Sequence, residues 1–308
     1  MGIDLSFIWA VIILFGIMMY VIMDGFDLGI GLLYPFFPEK ADRDVMMNTV
    51  APVWDGNETW LVLGGAGLLA AFPLAYAVVL SALYLPLIFM LIGLIFRGVA
   101  FEFRFKAREH ERHFWDKAFA GGSLVATFFQ GMALGTYLRG IPVANRAYAG
   151  GPLDWISPFS VFTGIALVIA FTLLGSTWLI MKTEGELQER AYRITRRMSW
   201  LLLAVIAVIS IWTPLATVLQ QRAVAQRAQA TPFIYTLALV FLCYSGLGIS
   251  IWPNIIPPSV TIWEAASPPQ SQSFTLVGAL LIIPMILAYT VWAYYVFRGK
   301  VRHDDGYH

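Results

Sequence analysis

Apolar residues run along this chain in stretches of about twenty, separated by short polar segments. Windows of that length predict helices near 5–33, 50–72, 76–100, 117–138, 157–181, 198–219, 232–252 and 274–298. The stretches lack the period-two alternation of an outer-membrane barrel, and lipid admits only structures that satisfy the whole backbone internally. The expected fold is therefore an all-α polytopic membrane protein, a helical bundle with eight visible transmembrane helices. It forms a single membrane-embedded domain over 1–308, with a first four-helix bundle over about 1–138 and a second over about 157–298. Composition agrees: 59% of residues are hydrophobic and 13% charged, against about 25% charged in soluble domains.

Charge then assigns sides. Arg97, Arg104, Lys106, Arg108, Arg112 and Lys117 follow the third stretch, and Lys182, Arg190, Arg193, Arg196 and Arg197 follow the fifth. Both loops are expected in the cytoplasm, while the connections near 71–75 and 254–273 contain no Lys or Arg. The N-terminus then lies outside, with the first span as its own insertion signal. Eight spans, however, would put the C-terminus outside although Arg298, Lys300 and Arg302 follow the last helix. One more span between about Leu219 and Gln229 would correct this and return the C-terminus to the cytoplasm. Nothing there is long enough. Either a span is missing or the second half breaks the rule, and we favour the missing span.

Against this apolar background the acids stand out. Asp24 and Asp27 lie near the end of the first stretch, and Asp55 and Glu58 open the second in Trp54-Asp55-Gly56-Asn57-Glu58-Thr59-Trp60. An ionisable residue in lipid costs roughly 2.5 to 3.5 kcal/mol on insertion scales, so four together suggest a proton or ion path. For any single acid the plainer reading is packing or helix-end capping. Members of each pair are three apart and share a face where the backbone is helical. Carboxylates so placed can hold and pass protons near neutral pH. Arg97 is either their counter-ion or a snorkelling basic residue. Gly25, Gly29, Gly31, Gly64, Gly65 and Gly67 permit close helix approach. Most tryptophans fall near predicted span ends and read as an interfacial belt, with Trp54 and Trp60 exempt because they flank the acids.

Other chemistry is excluded or unsupported. The four histidines, His110, His113, His303 and His308, fall in a basic loop or the tail, so no span offers an imidazole to an intramembrane haem. Cys243, the only cysteine, reads as a small core residue and rules out an internal disulfide framework. Net charge of +1 with scattered basic residues gives no sign of nucleic-acid binding. No metal or nucleotide motif is present. The chain reads as a partner to redox chemistry or as a transporter.

Asp24-Gly-Phe-Asp27-Leu-Gly29, Asn48 to Trp60, Phe96-Arg97 to Arg104, Gly131-Met-Ala-Leu-Gly135, Thr183 to Leu187, and Trp252 to Ser259 with Trp263-Glu264-Ala265-Ala266 resemble subunit II of the cytochrome bd quinol oxidases. The shorter, cyanide-insensitive branch is the nearest, and the likeness runs nearly end to end, weakest over about 217–229 where the family norm of nine spans needs a helix. The resemblance implies a bacterial inner-membrane complex that oxidises quinol and reduces oxygen to water. It also implies that haem b and haem d sit on subunit I, with this chain as its haem-free, pseudo-symmetric partner. A small accessory transmembrane subunit, membrane lipids, and a structural ubiquinone or an oxygen path in some members belong to the same picture. Carried onto this chain, Asp55 and Asp27 are first candidates for a cytoplasmic proton route, Glu58 and Asp24 second, and Trp60 for lining an oxygen path. The alternative reading is a proton- or sodium-coupled secondary transporter using the same acids.

Overall fold

A computed structural model of the protein describes residues 4–209 and 229–302. Helix α1 (Leu5–Leu33) ends in a 3₁₀ turn (Tyr34–Phe36) and is followed by the short α2 (Lys40–Asn48). Then come α3 (Trp54–Ala71), α4 (Pro73–Lys106) and α5 (Glu109–Arg139). A hairpin of β1 (Val143–Ala144) and β2 (Ala147–Tyr148) leads to α6 (Pro158–Lys182) and α7 (Gly185–Ile209). The last part holds α8 (Thr231–Ile251), a second hairpin of β3 (Asn254–Ile256) and β4 (Val260–Thr261), the short α9 (Ile262–Ala265) and α10 (Pro269–Val296).

Six of these helices are long and apolar enough to cross a membrane: α1 with its 3₁₀ turn, α4, α5, α6, α8 and α10. The expected span at 50–72 corresponds to α3, and the described part of the one at 198–219 lies in α7, its residues 210–219 falling outside the described ones; both helices open on polar residues. Asp55, Asn57 and Glu58 dilute α3, and Glu186, Glu189 and four arginines fill the first half of α7. The extra span expected at about 219–229 falls almost wholly on residues outside the described ones.

Local rules account for the helix ends. Asp4 caps α1 by accepting from the Phe7 amide, and a bond from the Trp263 indole, together with that one, holds its carboxyl below the usual range. Pro73 and Pro158 occupy first-turn positions in α4 and α6, where no amide hydrogen is needed. Pro86 inside α4 accompanies non-helical torsions at Leu83 (φ −111°, ψ 15°), so that helix is kinked. Both α4 and α5 run past the expected boundaries, which moves His110 and His113 from a loop onto the exposed first turns of α5.

Close crossings draw the central helices together. Glycines make α1 meet α6 at Gly29 and Gly175, and α4 meet α5 at Gly93 and Gly122. A Cβ on Gly93 would lie 2.6 Å from the Gly122 carbonyl, and one on Gly122 would lie 2.8 Å from the Arg97 amide. These contacts leave no room for side chains and bring backbones together. They bury the polar stretches of α1 and α4 inside the bundle.

The two ends differ in charge. One end gathers Lys40, Arg43, Arg104, Lys106, Arg190, Lys300 and Arg302, tied together by ion pairs to Glu109, Asp116, Asp44, Glu102, Asp42 and Glu184. The other holds Asp4, Ala71 and the segment 252–272, joined by bonds from the Ser267 amide to the Ala71 carbonyl and from the Trp9 indole to the Gln272 carbonyl. The C-terminal basic residues Lys300 and Arg302 thus share an end with Arg104 and Lys106. The tryptophans divide less simply than a belt: Trp9, Trp60, Trp155 and Trp178 are buried, whereas Trp200, Trp252, Trp263 and Trp292 are exposed.

Candidate functional site

Because α1 is helical through Leu33, Asp24 and Asp27 do lie on one side of it, and both are fully buried. Arg97 of α4 is equally buried and settles its own role as a counter-ion. Its Nη1 donates to Asp24 Oδ1 at 2.7 Å and its Nη2 to Glu58 Oε1. Trp54 covers the guanidinium, with its ring centroid 5.9 Å from Cζ, and stacks on Phe101. One planar fork spans acids from two other helices, a geometry suited to arginine rather than lysine.

Asp27 is held differently. No basic side chain is recorded in bonding contact with it among the described residues. Its Oδ2 accepts from the Asn57 amide at 2.7 Å, and the same amide donates to the Met23 carbonyl at 3.4 Å. The Asn57 oxygen accepts from the Tyr294 hydroxyl at 3.0 Å. Asp27 Oδ1 and Asp24 Oδ2 are buried without a hydrogen-bond partner among the described residues. Tyr20, also buried and on the same face of α1 as Asp24, donates to Gln130 Oε1 of α5 at 3.5 Å.

The four expected acids therefore separate. Asp24, Asp27 and Glu58 come together around Arg97 and Asn57. Asp55, one turn before Glu58, is exposed at the head of α3, and the Glu58 side chain is 27% exposed. Burial thus deepens from Asp55 through Glu58 to the two aspartates. Trp60 is fully buried, edge-on to Phe15, and its indole nitrogen has no partner among the described residues.

Asn57 and Tyr294 were not singled out from sequence as members of the site. Asn57 lies inside the acid motif, but Tyr294 is neutral and 237 positions away. A second network was also missed. Arg104, seven residues after Arg97 and so on nearly the same face of α4, donates to Asp116 at 2.5 Å and to Asp44 at 2.6 Å. Arg43 donates to the other Asp116 oxygen at 3.1 Å and to the Phe37 carbonyl at 2.7 Å. Two guanidinium groups here balance two carboxylates and lock α2 to α4 and α5. The spacing of seven was the available signal.

No group of three or more His, Cys, Asp or Glu placed to hold a metal ion occurs among the described residues. The buried methionines, Met23, Met46, Met47, Met90 and Met132, belong to apolar clusters. Taken together, the apolar helices and the buried acid–arginine cluster define a multi-pass membrane protein with an intramembrane ionisable site.

Residues 5–297 match the profile of the family described as cytochrome bd terminal oxidase subunit II. The chain is 28% identical to cytochrome bd-I ubiquinol oxidase subunit 2 of Escherichia coli (strain K12), over 98% of this chain and 96% of that protein. It is 30% identical to cytochrome bd ubiquinol oxidase subunit 2 of Bacillus subtilis (strain 168), over 98% and 97%. In fold it resembles a chain of the bd oxidase from Geobacillus thermodenitrificans, with a TM-score of 0.69 and 18% identity over 96% of this chain and 99% of that one. The chain belongs to the cytochrome bd terminal oxidase subunit II family. It is a multi-pass bacterial inner-membrane subunit of an oxidoreductase complex, and the transporter reading is set aside.

Proposed function

We propose that this chain is the haem-free subunit II of a quinol:oxygen oxidoreductase, supporting the haem-bearing subunit I and carrying protons from the cytoplasm toward the site of oxygen reduction. The observation that carries the reading is the buried cluster of Asp24, Asp27 and Glu58 around a single Arg97, entered from the exposed Asp55. One guanidinium balances one carboxylate, so the remaining acids are the ones placed to carry protons. In this reading the basic end faces the cytoplasm, the N-terminus faces the periplasm, and the C-terminus is cytoplasmic. Protons enter at Asp55, pass Glu58, and reach Asp24 and Asp27.

The haems b and d belong to subunit I. The donor chemistry here supports that division, since His110 and His113 are exposed on the first turns of α5. A structural ubiquinone is the one cofactor we leave to this chain, and Trp60 is assigned to an oxygen path. The broad apolar face of α10, from Phe274 through Leu281 and Met285 to Trp292, is available to subunit I, to a small accessory transmembrane subunit and to lipid. Quinol and oxygen are substrates of the whole complex. A single bundle of eight or nine spans pairing pseudo-symmetrically with subunit I completes the proposal.

The test is oxygen uptake by purified complexes carrying Asp55→Asn or Asp27→Asn. Each is expected to slow turnover about tenfold or more while the reduced-minus-oxidised spectrum keeps its b and d bands. Wild-type uptake in both would remove the proton route. Loss of haem in both would leave these acids a structural role instead.

A further inference from the structure

The acid cluster has two arms of different kinds. Asp24 and Glu58 share the Arg97 guanidinium, whereas Asp27 meets only neutral donors, in the order Tyr294 hydroxyl, Asn57 amide, Asp27 Oδ2. Every donor in that row points toward the carboxylate. An amide N–H does not pass a proton along, so the row is not a proton path. It holds one carboxylate oxygen and leaves the other, buried Oδ1, without a partner among the described residues.

Asn57 can work in only one orientation. The Met23 carbonyl, 3.4 Å away, accepts and never donates, so the NH₂ group faces it and Asp27. The amide oxygen then needs a donor, and the Tyr294 hydroxyl at 3.0 Å supplies it. Without that hydroxyl the buried oxygen has no donor, and turning toward a protonated Asp27 would relieve it. Tyr294 itself is set in place from two sides. Phe26 and Trp178 pack around its ring at centroid distances of 6.4 and 6.1 Å. Just beyond it, Lys182 Nζ donates to the Phe297 and Gly299 carbonyls, and the Val301 amide donates to the Lys182 carbonyl at 2.7 Å.

We propose that Tyr294 is a positioning residue for Asp27: through Asn57 it keeps an N–H on Oδ2, so that Oδ1 is the oxygen that takes up and releases the proton. This rests on the proton-route reading above. The charged and titratable groups around Asp27 are Asp24 and Tyr20 on α1, Glu58 on α3, Arg97 on α4 and Tyr294 on α10. On α6 and α8 the residues packed against the adjacent Gly25, Phe26 and Gly29, namely Phe171, Leu174, Gly175, Trp178 and Phe233, are uncharged, and Lys182 of α6 lies over the Trp178 ring with its Nζ on the Phe297 and Gly299 carbonyls. A change in the Tyr294 hydroxyl therefore acts through Asn57 without altering the surrounding charge.

The experiment compares the pH profile of oxygen uptake in the intact complex for wild type, Tyr294→Phe, and 2,3-difluorotyrosine at position 294, with Asp27→Asn as reference. The fluorinated ring keeps the shape and donates more strongly. Removing the donor row should move the alkaline limb of turnover up by about one pH unit and slow turnover severalfold. The fluorinated side chain should move the limb the other way, with haem bands unchanged in both. If Tyr294→Phe assembles without haem, the fluorinated protein decides alone. An unmoved limb, with Asp27→Asn slow, overturns the positioning role and leaves the proton route standing. Wild-type turnover in Asp27→Asn overturns both.

Discussion

Replacing Arg97 with Leu is expected to destabilise the folded chain by about 3–5 kcal/mol and to leave little assembled, haem-bearing complex. The substitution takes away the cation that Asp24 and Glu58 share while leaving both acids where they are. Asp24 is wholly enclosed and gains no water in exchange. A loss of this size is a large part of the 5–15 kcal/mol that holds a typical domain together. Arg97→Lys should recover only part of it, because a single ammonium cannot span two carboxylates on different helices. Adding Asp24→Asn to Arg97→Leu should recover more, because the buried charge is then removed along with its partner. The yield of complex, read from its visible spectrum, and its thermal unfolding in detergent check all three. If Arg97→Leu gives wild-type yield and melting temperature, the buried pair is not the ionic contact that the geometry indicates.

The sequence carried the acids and much of the helical plan, because both follow from hydropathy and spacing. Asp24 and Asp27 are three residues apart in an uninterrupted apolar run, and a helix that continues to Leu33 turns that spacing into a shared side. What hydropathy cannot tell is which way a side chain at a given depth faces. Hydropathy alone leaves Arg97 open between counter-ion and snorkelling residue; the packing of α1 and α3 beside it decides for the counter-ion. Trp9 and Trp155 lie near span ends, where position alone reads as an interfacial belt, yet both turn inward. Arg104 looked like an ordinary loop cation. In fact α4 continues to Lys106, and two acids from α2 and α5 close around it. Tyr294 had no local mark at all, since its partner comes from the far end of the chain and neither residue is charged. The family resemblance points to this motif and ranks Asp55 beside Asp27. The fold puts one at the surface and the other at the centre.

Gly29→Leu is expected to abolish assembly, and Gly29→Ala to lower the melting temperature and yield of the complex clearly. The reason lies in the crossing of α1 and α6. A Cβ on Gly29 would run into the Phe171 carbonyl and lie 2.7 Å from the Gly175 amide nitrogen. Across the gap, a Cβ on Gly175 would lie 2.8 Å from the Gly29 Cα. The obstructing atoms are backbone on both sides, so no rotamer change relieves the clash and the helices must separate. Overpacking of a tight contact typically costs about 1–3 kcal/mol, and here it also shifts the turn of α1 that carries Asp27. Gly29→Ala should therefore reduce turnover per haem in the complex that does assemble, joining a packing defect to a functional one. Gly121→Ala is the matched control: a Cβ there meets nothing within 4 Å in this chain, and the expected change is close to none. If Gly29→Ala and Gly121→Ala melt and turn over alike, α1 and α6 are not in backbone contact, and the burial of the acid cluster needs another cause.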